Sequence, residues 1–142
     1  MLTHQNTGAR ARHLKPSITL TASDHERLSS LVRAAMNNMP DVASGLADAI
    51  NRAHVIAEGR HPIDVVSMGS EVKFRDDTNG KIQKLFLVYP DQADISQDKI
   101  SVLTPIGTAL IGLRVGSSIS WETRTGELKR LTVLEVHEAQ PA

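Results

Sequence analysis

Residues able to carry chemistry are sparse in this chain, and their spacing excludes most of what they could do. The six histidines stand at positions 4, 13, 25, 54, 61 and 137. No two are four apart, so no helical face offers the paired imidazoles of a metal site. Asp91, Asp94 and Asp98 form an acidic loop, yet it lacks the alternating ligands of a calcium loop and the glutamate at its twelfth position. Gly107, Gly112 and Gly116 suggest a phosphate loop, but Leu113-Arg114 follows Gly112 where Lys and then Ser or Thr are required. Packing and turn roles are expected of these glycines. No Gly-x-Ser-x-Gly elbow occurs, so the serines and threonines have no identifiable base. With no cysteine, thiol nucleophiles, disulfides and thiolate metal sites are excluded together. Neither a catalytic set nor a cofactor is expected.

The elements that would have to position a site fall into two halves. Ser23 and Asp24 precede Glu26 as a helix cap, and Leu28, Leu31, Val32, Ala35 and Met36 follow at helical spacing, which predicts a helix over about 24–36. Asn37-Asn38-Met39-Pro40 breaks it. Val42, Leu46, Ala49, Ile50, Ala53 and Ile56 then make a second stripe ending near Glu58-Gly59. So short a break predicts an antiparallel helical hairpin. Ahead of it, Ile18-Thr19-Leu20 begins a short strand. From Pro62 onward β-branched clusters alternate with turn residues, predicting strands at 65–68, 72–74, 82–89, 100–102, 119–121 and 131–136. Turns are expected at 76–80 and at Thr125-Gly126, and a short helix over Ile106–Leu113 capped by Thr104 with Pro105 at its first position. The fold class is α+β, a helical hairpin followed by a curved antiparallel sheet wrapped on one helix.

Composition narrows the function further. The 142 residues suit about one domain, and 40% apolar residues supply a core. Sixteen cations balance sixteen anions, so the long-range field of a dedicated nucleic-acid binder is missing. Arg10, Arg12 and Lys15 stand in a stretch with no acid, residues 1–20, and residues 1–17 read as a solvated, disordered tail. Two Phe, one Tyr and one Trp are too few for a base-stacking platform. The strongest apolar run, Leu85-Phe86-Leu87-Val88, is far short of the ~18 residues of a membrane span. A soluble protein of a reducing, cytoplasmic compartment is expected.

Three stretches carry a resemblance. They are residues 61–74 (HPIDVVSMGSEVKF), Leu87-Val88-Tyr89-Pro90, and residues 100–113 (ISVLTPIGTALIGL), with Trp121 downstream. Together they resemble the C-terminal domain of the Gre transcript-cleavage factors, and more closely the small relatives named as regulators of nucleoside diphosphate kinase. The similarity runs from about Ile18 to Pro141. It implies a tail at 1–17, a short helical hairpin or coiled coil over 18–60, and an FKBP-like domain over 61–142. It further implies docking at the rim of the secondary channel of bacterial RNA polymerase, with the hairpin reaching inward.

In cleavage-competent Gre factors an Asp-x-x-Glu pair at the hairpin tip holds magnesium. Here the tip reads Asn37-Asn38-Met39-Pro40-Asp41-Val42-Ala43-Ser44, with Ser44 at the second carboxylate's place. The next acid, Asp48, stands ~10 Å further along a helix, too far to share one ion. The implied protein is a monomer that binds polymerase and competes with Gre factors without stimulating cleavage. Its partner-binding residues would be Met39, Pro40, Asp41 and Asp48. No membrane and no sequence-specific nucleic acid is implied. Two other readings remain open, an FKBP-like peptidyl-prolyl isomerase and a protein that binds nucleoside diphosphate kinase directly.

Overall fold

Thr21 starts the first helix, two residues earlier than the sequence pattern suggests. Its hydroxyl accepts a hydrogen bond from the Asp24 backbone N–H at 3.1 Å, so Thr21 is the cap and Ser23 and Asp24 lie inside the helix. The computed structural model describes residues 16–57 and 64–138. The expected tail therefore lies almost wholly outside the described residues, as do the second helix's expected end at 58–59 and His61-Pro62-Ile63 of the resemblance. The first described stretch holds β1 (Thr19–Thr21), α1 (Ala22–Ala35), α2 (Pro40–Arg52) and β2 (His54–Ile56). The second holds β3 (Glu71–Asp76), β4 (Lys81–Val88), β5 (Lys99–Ser101), α3 (Pro105–Leu110), β6 (Ser118–Glu122) and β7 (Leu128–His137).

The two helices pack on each other through Leu28, Val32 and Ala35 of α1 and Ala43, Leu46, Ala49 and Ile50 of α2, all buried. Between them, the Asn38 and Met39 N–H groups both donate to the Ala35 carbonyl, and Pro40 takes the first position of α2, where no N–H is needed. The second helix stops at Arg52, short of the expected 58. Ala53 and Ile56 extend its apolar stripe, but the His54 N–H instead donates to the Ile18 carbonyl at 2.8 Å. His54–Ile56 then runs as a strand parallel to β1, a long-range pairing that overrides the local period.

The second half forms a five-stranded sheet in the order β5-β4-β3-β7-β6. All neighbours are antiparallel except β4 and β5, which are parallel, a departure from the all-antiparallel expectation. A 3₁₀ turn at Pro90–Gln92 and another at Ile95–Gln97 supply the crossover that a parallel neighbour requires. A bulge between Lys73 and Phe74 breaks the β3–β7 register and bends the sheet. Of residues 65–68 only Val65 pairs, in an isolated bridge to Arg114. Asp64 and Gly69 on either side adopt left-handed backbone, which interrupts a strand.

Val72, Phe74, Leu85, Leu87, Ile119, Leu131 and Val133 of the sheet are each buried, in one core cluster with Ala109 and Leu110 of α3 and Ile111 and Leu113 after it. Such side chains contribute about 1.5–3 kcal/mol apiece. The same core cluster contains Ile18, Leu20 and the buried helix residues, so the helices and the sheet share one interior. The seam is Gly112, with φ at +79°. Its carbonyl accepts from the Thr19 N–H and its N–H donates to the Val66 carbonyl. A Cβ there would stand 2.7 Å from the Ile18 Cβ, so both the backbone and the close approach require glycine. This glycine also ends α3 at Leu110 and not at the expected Leu113. Gly107 is a packing residue as well, since a Cβ would meet the Ser101 carbonyl oxygen at 2.5 Å.

Candidate functional site

The expected contact residues divide between the helix junction and the face of α2. Met39 caps α2 with no side-chain hydrogen bond and is half-buried against the core. Pro40 and Asp41 are exposed at the start of α2, where the carboxylate faces the positive end of the helix dipole. Asp48 is exposed two turns on, with its Oδ2 3.2 Å from Arg52 Nε. Arg52 Nη1 also donates to the Pro16 carbonyl at 2.7 Å, tying the end of α2 to the chain entering β1. The structure therefore does not bring Asp41 and Asp48 to one point. They mark two places on one helix, and Ser44 stands exposed between them.

Beside that helix face runs an open cleft of about 570 Å³. One wall is α2 from Asp41 through Gly45 to Arg52, and the floor is Pro105, Thr108 and Ala109 of α3. The opposite wall is β6 and the turn after it, with Trp121, Glu122 and Arg124. Sequence reasoning identifies Asp41 and Trp121 separately but not the cleft they share, because α2, α3 and β6 are far apart in the chain. Trp121 is half-buried, with its ring packed against the core. At the helix termini the local logic is ordinary: Thr104 Oγ1 accepts from the Gly107 N–H at 3.0 Å and caps α3.

A second junction binds α1 to the sheet. The Arg27 guanidinium lies 4.5 Å from the centroid of the Tyr89 ring, and Asp24 Oδ2 accepts from the Met68 N–H at 3.4 Å. Among the described residues the buried Tyr89 hydroxyl has no hydrogen-bond partner. Burial, with Asp24 adding to it and Arg27 opposing it, pushes the phenol up to about 12.

The remaining acids build turns. Burial disfavours the charged form of Asp76, but the Thr78 N–H and hydroxyl and the Lys129 ammonium outweigh it and hold the carboxyl below its ordinary value. Thr132 and Arg75 do the same for Asp77. Asp94 Oδ1 accepts from the Ser96 N–H and caps the second 3₁₀ turn, so the acidic loop at 91–98 is a strand connection, as expected. Among the described residues no three His, Cys, Asp or Glu side chains cluster closely enough to hold a metal ion, and no helix is long and apolar enough to cross a membrane.

This arrangement of two short helices on a curled sheet has relatives. Residues 61–138 match the family described as "Transcription elongation factor, GreA/GreB, C-term", which defines the class of the β-rich half. Residues 16–56 match "Rnk N-terminus". The chain is 40% identical over 128 residues to the "Regulator of nucleoside diphosphate kinase" of Escherichia coli strain K12, covering 89% of this chain and 93% of that protein. The protein therefore belongs to the Rnk branch of the GreA/GreB family. The "Transcription elongation factor GreA" of Caldanaerobacter subterraneus subsp. tengcongensis is 39% identical over 87 residues, 61% of this chain and 55% of that one. Against this longer relative the chain spans about half the length. A solved structure, "Prokaryotic transcription elongation factor GreA/GreB from Nitrosomonas europaea", superposes with a TM-score of 0.68 at 36% identity, covering 87% of this chain and 99% of that one.

Proposed function

We propose that this protein is a non-catalytic regulator that binds bacterial RNA polymerase at the rim of its secondary channel and competes there with Gre factors. The observation that carries the reading is the start of α2, Asp41-Val42-Ala43-Ser44, in a chain whose β-rich half matches the GreA/GreB family. Where the family's cleavage factors place a second carboxylate, this helix has an exposed serine. The next acid on the helix, Asp48, is engaged by Arg52. One carboxylate supplies one ligand, and magnesium in such sites is shared between one or two carboxylates and the substrate phosphates. Helix length supports the same reading, because 14 and 13 residues give only about 21 and 20 Å. In this account residues 18–60 act as a short antiparallel hairpin, and the FKBP-like sheet at 61–142 makes the primary contact. Met39, Pro40 and Asp41 touch the polymerase secondarily, and Asp48 faces a basic wall. The protein acts as a cytoplasmic monomer.

The isomerase alternative is disfavoured because such enzymes hold proline in an aromatic-lined pocket, whereas among the described residues lining the cleft beside α2 Trp121 is the one aromatic. Direct binding to nucleoside diphosphate kinase gains support from the relatives' name alone. The test is association of the purified protein with core polymerase, with and without a Gre factor, and with nucleoside diphosphate kinase as the contrasting partner. Saturable polymerase binding displaced by Gre supports the proposal. Binding to the kinase with none to polymerase at micromolar concentration contradicts it.

A further inference from the structure

The free edge of the five-stranded sheet lies in the cleft beside α2. β6 ends the strand order, with β7 on one side and, among the described residues, no strand on the other. Its ladder to β7 fixes which backbone groups are left over. At one end the Val133 N–H donates to the Ser117 carbonyl, and at the other the Thr123 N–H donates to the Glu127 carbonyl. In the same register the hydrogen-bonded pairs between them are Ile119 with Leu131 and Trp121 with Lys129. The backbone N–H and C=O groups of Ser118, Ser120 and Glu122 therefore point away from β7, and among the described residues they have no hydrogen-bond partner.

Ile119, Ser120, Trp121 and Glu122 line the cleft in succession. Residues of alternate pleats share one wall only where that wall is the edge of the strand and not a face of the sheet. α2 and β6 both pack on α3, which leaves a slot between them floored by Pro105, Thr108 and Ala109. The slot has the length of a strand. The five residues of β6 extend about 17 Å, and α2 covers the same span from Asp41 to Arg52. Side chains of an added strand opposite Ile119 and Trp121 would turn toward the floor, where apolar residues fit. Those opposite Ser120 and Glu122 would turn outward, where the Glu122 carboxylate favours a cation across from it. Asp41, on the facing wall, is a second exposed carboxylate, and among the described residues neither acid has an ion pair. Of the two cations lining the cleft, Arg52 is engaged by Asp48, and Arg124 is exposed in the turn beyond β6.

We infer that the cleft is a docking site for an extended segment of a partner protein, which adds to the edge of β6 as a further strand and alternates apolar residues with Lys or Arg. Backbone hydrogen bonds to Ser120 and Glu122 hold the segment, and the carboxylates of Glu122 and Asp41 select its charge. This docking does not rest on the proposed function.

The probe is a blocked Val-Lys-Val-Lys-Val-Lys peptide, with Val-Glu-Val-Glu-Val-Glu as its contrast. Titrated into the full-length protein, the basic peptide should change the emission of Trp121, the sole tryptophan, saturably. Amide exchange followed by NMR should slow about tenfold or more at Ser120 and Glu122 and stay unchanged at Ile119 and Trp121, which β7 already engages. Glu122→Gln, at an exposed position, should weaken the basic peptide several-fold, and by less at high salt. Ser120→Pro removes an edge N–H that β7 does not use, so thermal unfolding should change little while docking is lost. Binding without protection at Ser120 and Glu122 overturns the inference. Equal or tighter binding of the acidic peptide, or no binding at millimolar peptide, overturns it too. So does protection of the same amides on concentrating the protein alone, which would make a second copy the occupant.

Discussion

Two junctions in this molecule have the same formal task, joining one element to the next, and they are built in opposite ways. At Gly112 both backbone hydrogen bonds are made, the residue is buried, and Ile18 lies too close for any Cβ. At the helix junction Asn37, Asn38, Pro40 and Asp41 are exposed, and only Met39 turns inward. The seam fixes how helices and sheet sit together, while the junction is exposed, as connections between helices generally are.

The sharpest way to break this contrast is Gly112→Ala. The left-handed backbone and the overlap with Ile18 together should cost about 3–5 kcal/mol, read as a fall of about 10–20 °C in thermal unfolding. A loss under about 1 kcal/mol would show that the seam yields and that the helices are not held rigidly. Asp76→Asn comes next, at about 1–3 kcal/mol, because the ion pair with Lys129 is lost and the bond from the Thr78 N–H loses its charged acceptor. The folded-state carboxyl titrates below its ordinary value near 3.8. Its contribution is therefore present above that value and fades as pH falls through the depressed one. The gap between wild type and Asp76→Asn should close in acid-unfolding curves below about pH 3.8.

At the open junction the same chemical change should do little to stability. Asp48→Asn removes an exposed ion pair worth about 0.5 kcal/mol. Asp41→Asn removes a dipole contact of about 0.3 kcal/mol or slightly more. Polymerase association should reverse the ranking by size of effect, with Asp41→Asn weakening binding several-fold and more than Asp48→Asn. Equal, negligible losses would remove the junction from the binding surface.

What the sequence made legible follows from the range of the forces involved. Leu28, Val32 and Ala35 announce α1 because a helix is read from neighbours three and four apart. Turns at Asp76–Gly80 and at Gly126 are likewise local, set by Asx bonding and left-handed glycine. The end of α2 was hidden because Ala53 and Ile56 satisfy the helical period while the deciding bond comes from Ile18. The parallel β4–β5 pair was hidden for the same reason, since no short-range signal distinguishes it from a hairpin partner. Of the site, the residue types at 39–41 could be read directly. The cleft facing Trp121 could not, because three distant segments make it. Family resemblance supplied what spacing alone did not, the meaning of Ser44 in place of a second acid.

The central claim is occupancy of the Gre site without Gre chemistry, and transcript cleavage in stalled elongation complexes tests it most directly. Added alone at saturating concentration, the protein should leave the nascent transcript intact, and added with a Gre factor it should suppress cleavage in proportion to its excess. Stimulated cleavage by the protein itself, or Gre-dependent cleavage that a large excess leaves untouched, would contradict the account.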